Sequence, residues 1–322
     1  MSDTAAPAPE KEWPNWFGPV LVLLGGICIG FAPIGLRLGT DGAGPGDLGP
    51  QGIAFWRYVF ALPILFMMIA VTQKRLPAKP NPYVVIAGVC FAVDIGLWHW
   101  SLTLTTVANS TFIVNLGNIG VGLTAWLFLK ERPTPIWGIA VVIAIAGAAA
   151  LSLGGISGAG DARPLALRGD ILAFGAAILV SCYMVASKVA RRTLGGLDTI
   201  FWLTAVELVT AVFLIALFKE NWLPADMSGF IVPFFLAIIV QVAGQGLIIT
   251  GLGHTPASVA GVLIVVQPVV AAAISWRLFG EVLAPLQIGG CLFILFGILL
   301  AQSGHRKSVS KPSQNSITSF VD

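Results

Sequence analysis

A chain of 322 residues that is 57% hydrophobic and only 10% charged, with a mean hydropathy of +0.89, is not a soluble globular domain, in which roughly 25% of residues carry charge. The formal net charge of +3 is spread over loops and points to no nucleic-acid partner. The composition is that of a polytopic membrane protein whose surroundings are the lipid bilayer.

The N-terminal arm, 1–16, is Pro/Ala-rich and acidic rather than basic. The apolar run that starts at Phe17 is too long for a signal-peptide core and has no evident cleavage site, so it is expected to remain as a span. Apolar runs fall at 17–38, 51–72, 82–103, 107–130 and 135–153, then at 168–190, 198–218, 229–250, 256–279 and 285–303. Each is near the ~20 residues that a helix needs to cross a bilayer. The expected organisation is an arm at 1–16, a five-helix unit at 17–155, a Gly/Ala-rich linker at 156–167, a second five-helix unit at 168–303, and a polar, Ser-rich, disordered tail at 304–322. Trp13, Trp16, Trp137 and Trp222 stand near span ends, where indoles anchor a protein at the interface.

Several spans carry residues that lipid would not tolerate. Span 2 holds Arg57, a group that either receives a carboxylate, snorkels to the interface or pairs within the protein. Span 3 reads FAVDIGLWHWS, with Phe91, Asp94, Trp98 and Ser101 on one face and His99 turned elsewhere. An Asp at bilayer depth costs about 2.5–3.5 kcal/mol on insertion scales. Asp94 is therefore a proton-coupling site, a partner for a substrate ammonium, or a structural partner of Arg57. His99 is either a titrating group or an interfacial one. Span 4 places Thr111, Asn115 and Asn118 on one face with Gly122, and that stripe belongs against protein or water. Tyr183 in span 6, Trp98, and less strongly Trp202 in span 7 are candidate aromatic walls of a cavity. Glu207 in span 7 is a proton carrier or a buried paired acid. Gln241 and Gln245 in span 8 share a face, and Gln267 in span 9 precedes Pro268, whose ring frees a nearby carbonyl. Neutral amides donate to a carboxylate and accept from an ammonium, so they suit zwitterions. Gly26 and Gly30 read as packing contacts.

The two halves repeat. In an ungapped register of 150, Thr105 matches Thr255, Trp126 matches Trp276, Glu131 matches Glu281, Pro135 matches Pro285 and Gly147 matches Gly297. Gly18 and Arg37 bracket span 1 as Gly169 and Lys188 bracket span 6, and Phe55-Trp56 echoes Phe201-Trp202. Five spans is an odd number, so a duplicated unit re-enters the membrane inverted. With the N-terminus cytoplasmic, twelve Lys and Arg face inward (Lys11; Lys74, Arg75, Lys79; Lys130, Arg132; Lys188, Arg191, Arg192; Arg306, Lys307, Lys311) and five face outward (Arg37, Arg163, Arg168, Lys219, Arg277). That bias predicts both termini inside a cell (inner or plasma) membrane. The fold class expected is all-α and polytopic, ten transmembrane helices as two inverted five-helix repeats, an architecture of transporters with a midplane site.

Arg57 in the second helix, Pro268 in the ninth, Glu131 and Glu281 in the loops that follow the fourth helix of each half, and Gly138, Gly147, Gly289, Gly290 and Gly297 in the fifth together resemble the drug/metabolite transporter superfamily, and within it the EamA-type exporters. The resemblance covers nearly the whole chain. It departs at Asn118, which stands where the first half would carry its Pro. It implies export of a small molecule from the cytoplasm, and the Trp- and amide-rich interior looks most like the amino-acid exporters of the group. Asp94, Trp98, Thr111, Asn115, Asn118, Tyr183, Trp202, Gln241, Gln245 and Gln267 are the candidate substrate contacts, and Arg57, Asp94, Glu207 and His99 the candidate coupling or structural charges. No cofactor or metal is expected: Cys28, Cys90, Cys182 and Cys291 lie in apolar runs without metal spacing, and His99, His254 and His305 are far apart. An intramembrane enzyme would need paired acids or an HExxH helix, and a channel a charge ring or filter loop. Neither pattern is present, and the absence of GxxxxGK[ST] gives no basis for ATP hydrolysis.

Overall fold

The computed structural model describes residues 14–40, 48–104, 107–130, 133–154, 166–279 and 284–309. All regular structure among them is helical, as lipid demands, because a backbone in hydrocarbon must satisfy its own N–H and C=O groups. Ten spans result. Span 1 runs Phe17–Ile29 and resumes as Ala32–Thr40. Spans 2 to 5 are Pro50–Thr72, Pro82–Leu104, Val107–Leu129 and Pro135–Gly154. Spans 6 and 7 are Ala166–Ala190 and Gly196–Phe218. Span 8 covers Met227–Leu252, span 9 is Ala257–Ile264 followed by Val266–Phe279, and span 10 is Pro285–Val309. Pro50, Pro82, Pro135 and Pro285 each open a helix, where the missing N–H has no intrahelical partner to lose. Span 10 continues to Val309, past the boundary at 303 expected from hydropathy alone. The linker from 155 to 165, most of the arm and the end of the tail lie outside the described residues, as do Glu131 and Glu281.

The packing obeys an exchange of halves. Span 1 packs on spans 8 and 9, and its counterpart span 6 packs on spans 3 and 4. Span 2 lies against spans 7 and 8, and span 7 against spans 2 and 3. Spans 4 and 9 meet each other, and so do 5 and 10. The last pair reveals the inversion atom by atom. A Cβ added to Gly147 would stand 2.7 Å from the Gly290 carbonyl, and one added to Gly297 would stand 3.0 Å from the Ala140 carbonyl. Position 147 therefore faces 290 while 140 faces 297, so two equivalent helices run antiparallel. Antiparallel equivalents are related by a two-fold axis lying in the membrane plane, the signature of an inverted repeat. Small residues make the close approach possible.

Two expectations change here. Trp137 is buried rather than interfacial, only 8% exposed, with its indole N–H donating to the Ser258 carbonyl at 2.9 Å. The ring occupies space that a side chain at Gly122 would fill. Span 8 is not a uniform α-helix either, because Ala237–Gln245 is wound as a π-helix.

Candidate functional site

At the crossing of spans 2, 3, 6, 7 and 8, charged and amide side chains converge deep in the bundle. Glu207, fully buried on span 7, accepts from Gln241 Nε2 at 2.6 Å and from Gln245 Nε2 at 3.2 Å, one bond to each carboxylate oxygen. Gln241 Nε2 also donates to Thr204 Oγ1 at 2.8 Å, and Gln245 Nε2 reaches Tyr183 Oη at 3.3 Å. Tyr183 stacks obliquely on Phe91, with ring centroids 4.7 Å apart. Both glutamines sit in the π-helical stretch of span 8. Such windings widen a helix and leave backbone groups imperfectly paired, and they recur at functional sites.

Arg57 enters from span 2. Its Nη2 donates to the Tyr58 hydroxyl at 2.9 Å, the guanidinium lies 4.8 Å from that ring's centroid, and its Nε has no partner among the described residues. Arg57 lies within electrostatic reach of Glu207, and the two form no direct ion pair. Asp94 on span 3 is 4% exposed, lies within electrostatic reach of Tyr58 and Tyr183, and leaves Oδ1 without a hydrogen-bond partner among the described residues. The structural pairing of Asp94 with Arg57 weighed above is not formed. His99 is buried too, against the interfacial placement weighed above. Its Nδ1 lies 3.2 Å from Gln51 Nε2, and since an amide NH₂ only donates, Nδ1 accepts and the ring is neutral.

Not every candidate belongs to this group. Trp202 stands at the start of span 7, and its indole N–H donates to the Ala78 carbonyl at 2.6 Å, so it serves an end of the bundle rather than the interior. Asn118 Nδ2 reaches Asn115 Oδ1 at 3.4 Å along span 4, and the Asn118 carbonyl lies beneath Gly261 of span 9. Gln267 is half-buried on span 9, with its carbonyl facing Gly30. The indole N–H of Trp98 is buried and lacks a partner among the described residues. The side chain of Thr111 lies outside the described residues. Three members of the cluster escaped the sequence reading. Thr204, three residues before Glu207, was legible from helical spacing. Tyr58 was not, since adjacent residues on a helix diverge, although only three tyrosines occur in the chain. Gln51 is the first residue of the apolar run at 51–72, where a polar side chain reads as part of a span end.

Two clasps close spans 2 and 7 at opposite ends. At one, Asp198 on span 7 receives Arg75 Nη1 at 2.9 Å, Arg75 Nη2 at 2.5 Å and the Ala78 amide at 2.8 Å. At the other, Glu220, just past span 7, accepts from the Gln51 amide at 2.7 Å, and the Trp56 indole donates to the Trp222 carbonyl at 2.6 Å. Trp56 and Trp202 are thus symmetry counterparts in role. Left-handed turns at Lys74 (φ 51°) and Lys219 (φ 54°) redirect the chain into each clasp.

Ten spans in two inverted repeats, with polar groups from both halves meeting between them, define a membrane transporter. The chain belongs to the EamA-like transporter family, whose pattern it matches twice, at residues 16–153 and 167–302. It is 28% identical over 251 residues to Uncharacterized transporter YwfM of Bacillus subtilis (strain 168), covering 75% of this chain and 81% of that one. Uncharacterized transporter YetK of the same organism is 24% identical over 254 residues, 76% of each chain. A protein known from a crystal structure superposes on 88% of this chain and 98% of its own with a TM-score of 0.72, at 17% identity, which is a likeness of fold.

Proposed function

We propose that the cluster around Arg57, Asp94, Glu207, Gln241 and Gln245 is the substrate site of an exporter of small amphipathic metabolites, amino acids foremost, working by alternating access. The observation that carries the reading is the convergence, at 7% exposure or less, of one cation, two acids and two amides from both repeats. Such groups are costly inside a membrane and are retained where a pathway needs them. Neutral amides beside opposite charges suit a zwitterion, and the two clasps at opposite ends of spans 2 and 7 are placed to open in turn. Asp94 or Glu207 carries a coupling proton. The direction, out of the cytoplasm, follows the resemblance, and the Lys/Arg bias puts both termini on the cytoplasmic side of the plasma membrane. The reading assigns the chain no catalytic chemistry.

The test is counterflow in sealed proteoliposomes with a radiolabelled amino-acid panel. Saturable uptake stimulated by the same solute on the far side is expected. A flux that never saturates would make the protein a channel-like facilitator, and no flux across the panel would overturn the reading. Alanine at Gln241 and Gln245 is expected to raise the half-saturating concentration, and unchanged kinetics in both folded variants would remove them from the site. The same change at Asn115 tests whether the pathway extends to span 4.

A further inference from the structure

The hydrogen-bond directions inside the cluster divide its members into scaffold and receptor. Gln241 and Gln245 both turn their NH₂ groups toward Glu207, whose two carboxyl oxygens accept. Each carboxamide is rigid and planar, so fixing its nitrogen aims its oxygen elsewhere. Gln241 Oε1 and Gln245 Oε1 are then left buried without a donor among the described residues, and Asp94 Oδ1 is in the same condition. These three residues are 0%, 1% and 4% exposed. Buried acceptors left bare cost free energy, and a charged one costs more than a neutral one. Arg57 Nε and the Trp98 indole N–H are also left bare among the described residues, yet neither bonds to these three acceptors, which ask for a group that brings several N–H donors.

Charge points the same way. When Asp94 and Glu207 are both ionised, with Arg57 cationic and His99 neutral because its Nδ1 accepts, the cluster is one cation short of neutrality. A carboxylate would deepen that imbalance, whereas a primary ammonium would cancel it and offer three N–H groups.

We infer that the cluster is an ammonium receptor in which Asp94 and the carbonyl oxygens of Gln241 and Gln245 hold the substrate's amino group, while Glu207 orients the two amides. The ammonium is the obligatory recognition element and the carboxylate is dispensable, so decarboxylated amines are ligands of the same site. This rests on the transporter reading above and adds what that site selects.

The experiment is competition against labelled phenylalanine and labelled leucine in proteoliposomes of the full chain. The competitors are the matched amines, phenethylamine and isoamylamine, and the matched acids, 3-phenylpropionate and 4-methylpentanoate. The amines are expected to compete within about tenfold of the parent amino acid and the acids at least about a hundredfold more weakly, the discrimination that a bare buried charge and its amides can supply. Asp94→Asn is expected to weaken amine competition by about thirtyfold or more, because the receptor loses its charge while keeping its shape. Acids that compete as well as amines would overturn the inference, as would an Asp94→Asn protein with unchanged melting temperature and unchanged amine competition. If Asp94→Asn fails to fold, the comparison of amines with acids on the wild-type protein decides alone. Transport of either amino acid with no preference for the ammonium removes only this inference, and absence of any transport or competition removes the transporter reading with it.

Discussion

Spans 1, 8 and 9 and their counterparts 6, 3 and 4 occupy equivalent places, yet their backbones differ. Every helix of the first set is interrupted: span 1 at Gly30–Phe31, span 8 by its π-helical stretch and span 9 at Val265. The helices of the second set run unbroken through their described residues. Two of the interruptions have a plain cause, since Pro33 and Pro268 cannot donate to the carbonyls of Ile29 and Ile264 four residues earlier. The place of Pro268 in span 4 is taken by Asn118, whose N–H keeps the helix whole. Span 1 touches both of the other interrupted helices, so the bundle has one bendable side and one stiff side. A duplicated topology therefore constrains which helices meet without requiring that both copies flex alike.

The comparison breaks most sharply at Asn118→Pro. A proline there removes a hydrogen bond from a continuous helix and is expected to cost about 3 kcal/mol or more, read as a fall in melting temperature in detergent. A melting temperature equal to the wild type would mean that span 4 is as tolerant as span 9. The converse change, Pro268→Ala, is expected to leave the fold at least as stable and to slow turnover in proteoliposomes.

A second test sharpens the symmetry itself. Gly147→Val and Gly297→Val push side chains into equivalent backbone contacts between spans 5 and 10, and each is expected to destabilise by about 1–3 kcal/mol through overpacking. Their effects should agree closely, because the two sites face carbonyls at 2.7 Å and 3.0 Å across one two-fold axis. A large effect at one and none at the other would show that the halves pack independently of it.

The smallest expected effect separates the two clasps by pH. Burial pushes the Glu220 carboxyl above its ordinary value of 4.5, against the pull of the Gln51 and Gly52 amides. A raised value means that the folded protein binds this proton more tightly than the unfolded chain does. The contribution is thus present below the ordinary value and is lost as pH rises through the raised one. Glu220→Gln keeps an acceptor and removes that loss, so its melting temperature is expected to exceed the wild type's by more at about pH 8 than at about pH 5. A gap independent of pH would show that ionisation of Glu220 is irrelevant to the clasp.

The elements were legible in the sequence because hydrophobic length and proline position are local properties that a bilayer enforces directly. Ten runs of ~20 residues, the prolines that open spans 2, 3, 5 and 10, and the echo of Gly147 in Gly297 needed no tertiary information. Arg57, Asp94, Glu207, Gln241 and Gln245 could be singled out one at a time, since each is an expensive residue at membrane depth. What periodicity could not reveal was company. Glu207 meets Gln241 across 34 positions and Asp198 meets Arg75 across 123, and those pairings exist only once antiparallel helices have docked. Trp137 and Trp202 have the sequence signature of interface or cavity aromatics, yet a missing side chain at Gly122 and a carbonyl at Ala78 claimed them. Composition determined that this chain lives in lipid, and the apolar runs with their internal echo that it crosses ten times in two mirrored sets. The tertiary structure decided which costly side chains satisfy one another and which acceptors stay bare, because a hydrogen bond depends on distance and direction in space, and neither is encoded by spacing along a single helix.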